Sequence, residues 1–156
     1  MILMPLVFCA ILIMIDQGIK YITVLGLKPI GSVDIISGFF SLTYVENRGA
    51  AFGMLQGGKW LFVALTVVVC VICVIYYSKL AAQNRLFIVR AAIVLICGGA
   101  IGNMLDRLFR GYVVDMFDFN IFGYDFPVFN FADICVCIGA FLLVVGIMFF
   151  DREDKK

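Results

Sequence analysis

"FNFADICVCIGAFLLVVGIMFFD", residues 129–151, begins as a polar loop and continues as twenty residues of hydrocarbon. Residues 131–150 carry one charge, Asp133, in the first turn. A helix rises about 1.5 Å per residue, so a run of this length matches the roughly 30 Å core of a bilayer. The stretch reads as a membrane-spanning helix with a carboxylate at its mouth. The rest of the chain agrees: 156 residues are 64% hydrophobic and 15% charged, with a mean hydropathy of +1.11. Soluble domains run nearer half apolar and a quarter charged. The expectation is an integral membrane protein, mainly α, forming one membrane domain over 1–156.

Three further stretches are long and apolar enough to span, at about 2–25, 60–77 and 86–106. The first reaches full length only by drawing Asp16 and Lys20 into its end. It lacks the basic leader and small-residue cleavage site of a secretory signal. The second has aromatic residues at both ends, as interfacial belts prefer. The third contains Gly98-x-x-x-Gly102, a spacing that allows close helix approach. Four spans put both termini on one side and the connections of about 26–59 and 107–130 on the other. Lys and Arg do not orient them: the short loop and tail carry Lys79, Arg85, Arg152, Lys155 and Lys156, and the long connections carry Lys28, Arg48, Lys59, Arg107 and Arg110.

In the first long connection, "VDIISGFFSLTYV" is rich in β-branched and aromatic residues around Ser37-Gly38, which predicts a short hairpin. "ENRGAAFGMLQGG" then supplies a polar turn, a short helix over 50–55 and a glycine stop. Two apolar, aromatic segments outside the spans suggest a platform at the membrane surface.

A net charge of +1 favours no nucleic acid partner, and the chain has no histidine. Triads and zinc sites built on His are excluded. The six cysteines all lie in apolar runs. Cys70-x-x-Cys73 has redox or metal spacing, yet with no second pair or His nearby it reads as small packing residues, as do Cys135 and Cys137.

The ionisable and amide residues at the edges of the spans are more telling, because such groups cost roughly 2.5–3.5 kcal/mol each at bilayer depth by insertion scales. Asp16 and Lys20 are one helical turn apart, and an ion pair explains them locally. Asn47 and Gly49 suit a turn, although an Asn amide could also hold an extended peptide. Asn103, Asp106 and Arg107 form a polar stripe ending the third span; internal pairing would explain it. Asp118 and Asp125 read as surface residues. Asn130-x-x-Asp133 matches a helix cap, with an acidic residue favourable at the helix start. Capping would suffice were it not for Asp115, a second carboxylate in the apolar "YVVDMF" that can reach the same membrane face.

Two carboxylates held within a few ångströms at low dielectric share one proton. The charged member takes a proton from water, and the neutral one polarises a carbonyl and then protonates a leaving amine. That is aspartic peptidase chemistry, and it needs neither His nor metal. Three other readings stand beside it. A metal-dependent lipid phosphotransferase would use the aspartates of "GYVVDMFD", but the upstream half of such a motif is missing. A transporter would spread polar residues through the membrane depth, whereas here they gather on one face. A Ser–Lys peptidase could use Ser32, Ser37 or Ser41 with Lys20, and nothing in the spacing favours it.

The blocks "DQGIKY", "ENRGAAFG", "GAIGNMLDRLFRGYVVDMFDF" and "FNFADICVCIGAF" together resemble, in order and over essentially the whole chain, the lipoprotein signal peptidases (signal peptidase II). The resemblance implies four transmembrane helices, a small extracytoplasmic β cradle over residues 28–58 and a mobile segment near 49–58. It implies an aspartic endopeptidase of the bacterial inner membrane, multi-pass with cytoplasmic termini and its site near the outer surface. It implies removal of the signal peptide from diacylglyceryl-modified prolipoproteins, just before the lipid-modified cysteine. Asp115 and Asp133 correspond to the catalytic pair, and Asp16, Asn47, Asn103, Asp106, Arg107 and Asn130 to substrate-binding or supporting positions. Arg48 and Ile134 fall where the family varies and carry no role. The implied partners are the prolipoprotein, membrane lipid and cyclic-peptide inhibitors of the globomycin type. No cofactor, metal or nucleic acid is implied, and a monomer is expected.

Overall fold

The computed structural model describes residues 3–49, 55, 57–80 and 87–150. Four helices carry the apolar runs: α1 (Leu3–Gly26), α2 (Lys59–Lys79), α3 (Phe87–Phe109) and α4 (Phe131–Phe150). Each is long and apolar enough to cross a membrane. Most of the short helix expected over 50–55, with much of the segment expected to be mobile near 49–58, lies outside the described residues, as does the connection 81–86.

Helix α3 is the centre of the bundle. Its buried face runs Val89, Ala92, Ile93, Ile96, Gly99, Gly102, Asn103 and Asp106, a stripe at helical spacing. The glycines let neighbours approach. A methyl at Gly98 would meet Leu12 of α1 at 3.0 Å, and one at Gly102 would come 2.6 Å from Asp16 Oδ2. Gly98-x-x-x-Gly102 is therefore the seat of α1. Gly99 lies against the Ala132 carbonyl and the Val136 side chain of α4, and Gly139 of α4 returns the contact to Ile96.

The polarity of the bundle is the reverse of a soluble one. Lys20, Asp16, Asp106, Asp115 and Asn130 are among the largest fully buried side chains, while Val67, Val71, Ile72, Val74 and Ile75 of α2 face outward. Lipid solvates such an exterior, and association then rests on close packing and internal polar bonds rather than on the hydrophobic effect.

The two long connections pair to form one antiparallel sheet, in the order β1 (Ser32–Ile36), β2 (Phe40–Asn47), β3 (Val113–Ile121) and β4 (Tyr124–Asp125). The hairpin β1–β2 is where the β-branched run predicted it, turning through Gly38 at φ 71°. The strand β3 has no counterpart in the sequence reading, which treated 107–130 as a connection. Its partner β2 lies about seventy residues away, with Asn47 opposite Val113 and Val45 opposite Asp115. Phe129 docks on the same strand: Met116 and Phe117 donate N–H bonds to its carbonyl at 3.1 and 2.8 Å, and its own N–H returns to Phe117 at 3.1 Å. Phe119 stacks on Phe40 and on Phe129, with centroids 4.5 and 5.8 Å apart. The start of α4 is thus stapled to β3 beside Asp115.

Candidate active site

Helix α4 opens with a reciprocal cap. Asp133 N–H donates to Asn130 Oδ1 at 3.0 Å, and Asn130 N–H donates to Asp133 Oδ2 at 3.1 Å. Capping is therefore real, but it uses one oxygen of each side chain. The Asn130 amide nitrogen donates to Asp115 Oδ1 at 2.5 Å and to Asn103 Oδ1 at 3.2 Å. The other oxygen of Asp133 accepts from Asn103 Nδ2 at 2.7 Å.

Asn47 completes the set from β2. Its Oδ1 accepts the Gly49 N–H at 3.0 Å, which leaves Nδ2 to donate to Asp115 Oδ2 at 2.9 Å. All four carboxylate oxygens of Asp115 and Asp133 thus receive a donor, three from side-chain amides and one from the backbone. Neutral donors solvate carboxylates that water cannot fully reach, without neutralising them. The burial of Asp115 still dominates: it is 2% exposed, and desolvation, helped by the nearby charge of Asp133, pushes its carboxyl up to about 6 against the opposing bonds from Asn47 and Asn130.

Behind this layer lies a closed ionic group. Lys20, fully buried, pairs with Asp16 Oδ2 at 2.9 Å and Asp106 Oδ2 at 3.2 Å, and donates to Asn103 Oδ1 at 2.7 Å. Asp16 Oδ1 accepts the Ala132 N–H at 3.1 Å, at the positive end of α4. Asp106 accepts the Val114 N–H at 3.0 Å and pairs with Arg110 at 3.2 Å. Gln17 donates to Asp16 at 3.0 Å and to the Gly102 carbonyl at 3.1 Å. These residues tie α1, α3, β3 and the start of α4 into one block.

In front lies a cavity of about 560 Å³, bordered by Asp115, Asp133, Asn47, Asn103 and Arg107. Its apolar wall includes Phe62, Val113 and Phe129, and it continues along α4 past Ile134 to Cys137 and Ile138. Arg107 lies over the Phe62 ring at 4.7 Å and donates to the Gly49 carbonyl at 3.2 Å, joining α3 to α2 and to the end of β2.

The structure therefore divides the residues singled out from sequence. Asp115, Asp133, Asn47, Asn103 and Arg107 face one space, with Asn130 directly behind and bonded to Asp115. Asp16 and Asp106 do not border the cavity; they support the block behind it. Asp125 is exposed, and Asp118 accepts from Thr43 at 2.8 Å on the sheet. Asp115 and Asp118 are three apart on a strand, so their side chains leave opposite faces and do not converge as a paired-aspartate metal motif requires. Arg48 is exposed and pairs with Glu46 at 3.3 Å. The sequence reading missed Lys20 and Gln17 as members of the site block. An ion pair one turn apart already accounted for Lys20, and nothing local pointed to Asp106 or Asn103 as further partners.

The comparisons with known proteins come down on one family. Its model, described as signal peptidase (SPase) II, matches residues 8–149. A lipoprotein signal peptidase of Halothermothrix orenii is 47% identical over 135 residues, covering 86% of this chain and 88% of that protein. One from Caldanaerobacter subterraneus is 46% identical over 140 residues, covering 90% and 92%. A bacterial membrane enzyme solved by the in meso method at 2.3 Å resolution superposes with a TM-score of 0.85 at 36% identity, covering all of this chain and 93% of that one. A second, solved at 1.9 Å, gives 0.83 at 35% identity, covering 96% of each.

Proposed function

The chain belongs to the signal peptidase II family and is a multi-pass membrane peptidase, and from that premise we propose an aspartic endopeptidase with Asp115 and Asp133 as its catalytic pair. Its substrates are prolipoproteins carrying a diacylglyceryl group on the cysteine that follows the cleaved bond. The observation that carries this reading is the pair itself: two carboxylates from different elements border one cavity, and each oxygen is held by a donor.

The raised pKa of Asp115 lets it hold the shared proton close to neutral pH. Asp133, held by two donors at the start of α4, takes a proton from the attacking water. Asp115 polarises the scissile carbonyl and passes its proton to the leaving amine as the tetrahedral intermediate collapses. No metal or cofactor enters this chemistry.

The apolar wall along α4 supports a substrate that arrives from the bilayer, with its lipid in the membrane and the scissile bond raised to the carboxylates. The sheet and the pair lie on the extracytoplasmic side, with both termini cytoplasmic. The enzyme works as a monomer, and cyclic peptides of the globomycin type compete for the cavity. Purified protein should cut a diacylglyceryl-modified prolipoprotein in EDTA, while Asp115→Asn and Asp133→Asn, folded, should not. Retained cleavage by either variant, or loss of wild-type cleavage in EDTA, refutes the mechanism.

A further inference from the structure

A local ion pair with Asp16 accounts for only part of the position of Lys20. Pairing with Asp16 requires only an i,i+4 contact on α1. The lysine instead extends across to α3, where its ammonium meets Asp106 at 3.2 Å and Asn103 Oδ1 at 2.7 Å. We infer that Lys20 is a positioning residue of the catalytic pair: its ammonium locks the Asn103 side-chain amide so that Nδ2 points only at Asp133. The inference rests on the reading of Asp133 as catalytic.

An ammonium has three donors and no acceptor, so the atom of Asn103 that it touches must be the oxygen. Asn130 Nδ2 donates to that same oxygen at 3.2 Å. With two donors on Oδ1, the nitrogen of Asn103 is left facing Asp133 Oδ1 at 2.7 Å. Turning the amide over would set its nitrogen against the two donors and its oxygen against a carboxylate, losing charge-assisted bonds on both sides. Asn47 and Asn130 need no such lock, because backbone N–H groups already occupy their oxygens. For Asn103 Oδ1, the lysine supplies the short contact that a backbone N–H makes at the other two.

The charges around this lock come from several elements. Asp16 faces Lys20 from α1, and Asp106, itself paired with Arg110, faces it from α3. Asp115 from β3 and Arg107 from α3 stand on the cavity side with Asp133.

Lys20→Met alone leaves buried Asp16 without its cation and Asp106 with Arg110 alone, and can prevent folding. The pair Lys20→Met with Asp16→Asn removes one charge of each sign and keeps an acceptor oxygen for the Ala132 N–H. Four proteins form the test: wild type, this pair variant, Asn103→Ala and the triple variant. The pair variant should lose on the order of 100-fold in kcat with KM little changed, as expected for a misplaced catalytic group. Asn103→Ala should lose a similar factor, and the triple variant no more than either. A pair variant with wild-type kcat, losses that multiply in the triple, or an effect confined to KM overturns the inference.

Side-chain spectra of lysine and asparagine labelled with heavy nitrogen read the lock without turnover and in proteins with Lys20 intact. Asn103→Ala should shift the Lys20 ammonium signal, and Asp133→Asn should shift the Asn103 amide. A Lys20 signal unmoved by Asn103→Ala refutes the lock even if the pair variant does not fold. Cleavage that survives Asp133→Asn, with those signals still linked, removes the proposed function and leaves the lock standing. An inactive Asp133→Asn with unlinked signals does the reverse.

Discussion

Asn130 performs two tasks with different atoms, and substitution can separate them. Its Oδ1 caps α4 through the Asp133 N–H, and its Nδ2 holds Asp115 at 2.5 Å. Asn130→Ser keeps a capping oxygen and removes the donor to Asp115; Asn130→Ala removes both. The cap is worth about 1 kcal/mol of stability. A hydrogen bond to a charged group is worth about 1.5–3 kcal/mol, so its loss in the transition state should slow kcat by roughly 10- to 150-fold. Because that bond favours the charged form of Asp115, removing it should move this carboxyl further above its present value of about 6 and carry the alkaline side of the kcat profile, where Asp115 must keep its proton, to higher pH. The assay is cleavage of a lipidated prolipoprotein across pH 4–9, beside thermal unfolding in the same detergent. Ser should be nearly as stable as wild type but slow, and Ala both slow and less stable. A Ser variant with wild-type kcat and pH profile would show that Asn130 is a cap and nothing more.

Three further outcomes follow from geometry already described. A folded-state carboxyl raised from 3.8 to about 6 holds its proton longer than the unfolded chain does, so its stabilising contribution is full below pH 3.8 and lost as pH rises through 6. That loss is about 3 kcal/mol, and unfolding of Asp115→Asn followed from pH 3 to pH 8 should lack it; an unchanged slope would contradict the burial argument. Gly102→Ala puts a methyl 2.6 Å from Asp16 Oδ2 and should cost about 1–3 kcal/mol in thermal unfolding, whereas Gly18→Ala, with nothing within 4 Å, should be neutral or slightly stabilising. Arg107→Lys keeps the charge but loses the planar group over Phe62 and the reach to the Gly49 carbonyl; KM should rise several-fold while unfolding barely moves, and an unaltered KM would place Arg107 outside substrate binding.

The helices were legible because apolar runs of spanning length admit few other readings, and the hairpin because β-branched residues flanked a Ser-Gly turn. The strand β3 was not legible. "VVDMFDFNI" is apolar at its start and mixed after it, and the partner that makes it a strand lies in a connection two helices earlier. The two aspartates and three asparagines at the centre could be picked out as residue types at the edges of spans. Which oxygen each amide presents could not, since that depends on backbone N–H groups and on Lys20 arriving from other elements. Asp16 and Asp106 looked equivalent to the rest on sequence, and only packing sets them behind the cavity rather than in it.

The bond from Asp16 Oδ1 to the Ala132 N–H joins residues 116 positions apart, the first helix to the last. Synthesis proceeds from the amino terminus, so the socket is laid down before the piece it receives. Asp115 and the Asn103 amide are already in the chain when the fourth helix is still to be made, but Asp133 and the Asn130 that bonds both carboxylates arrive only at the start of α4. A peptidase assembled in the same membrane as its substrates is thereby unarmed throughout its own insertion, and it becomes competent in a single closing step.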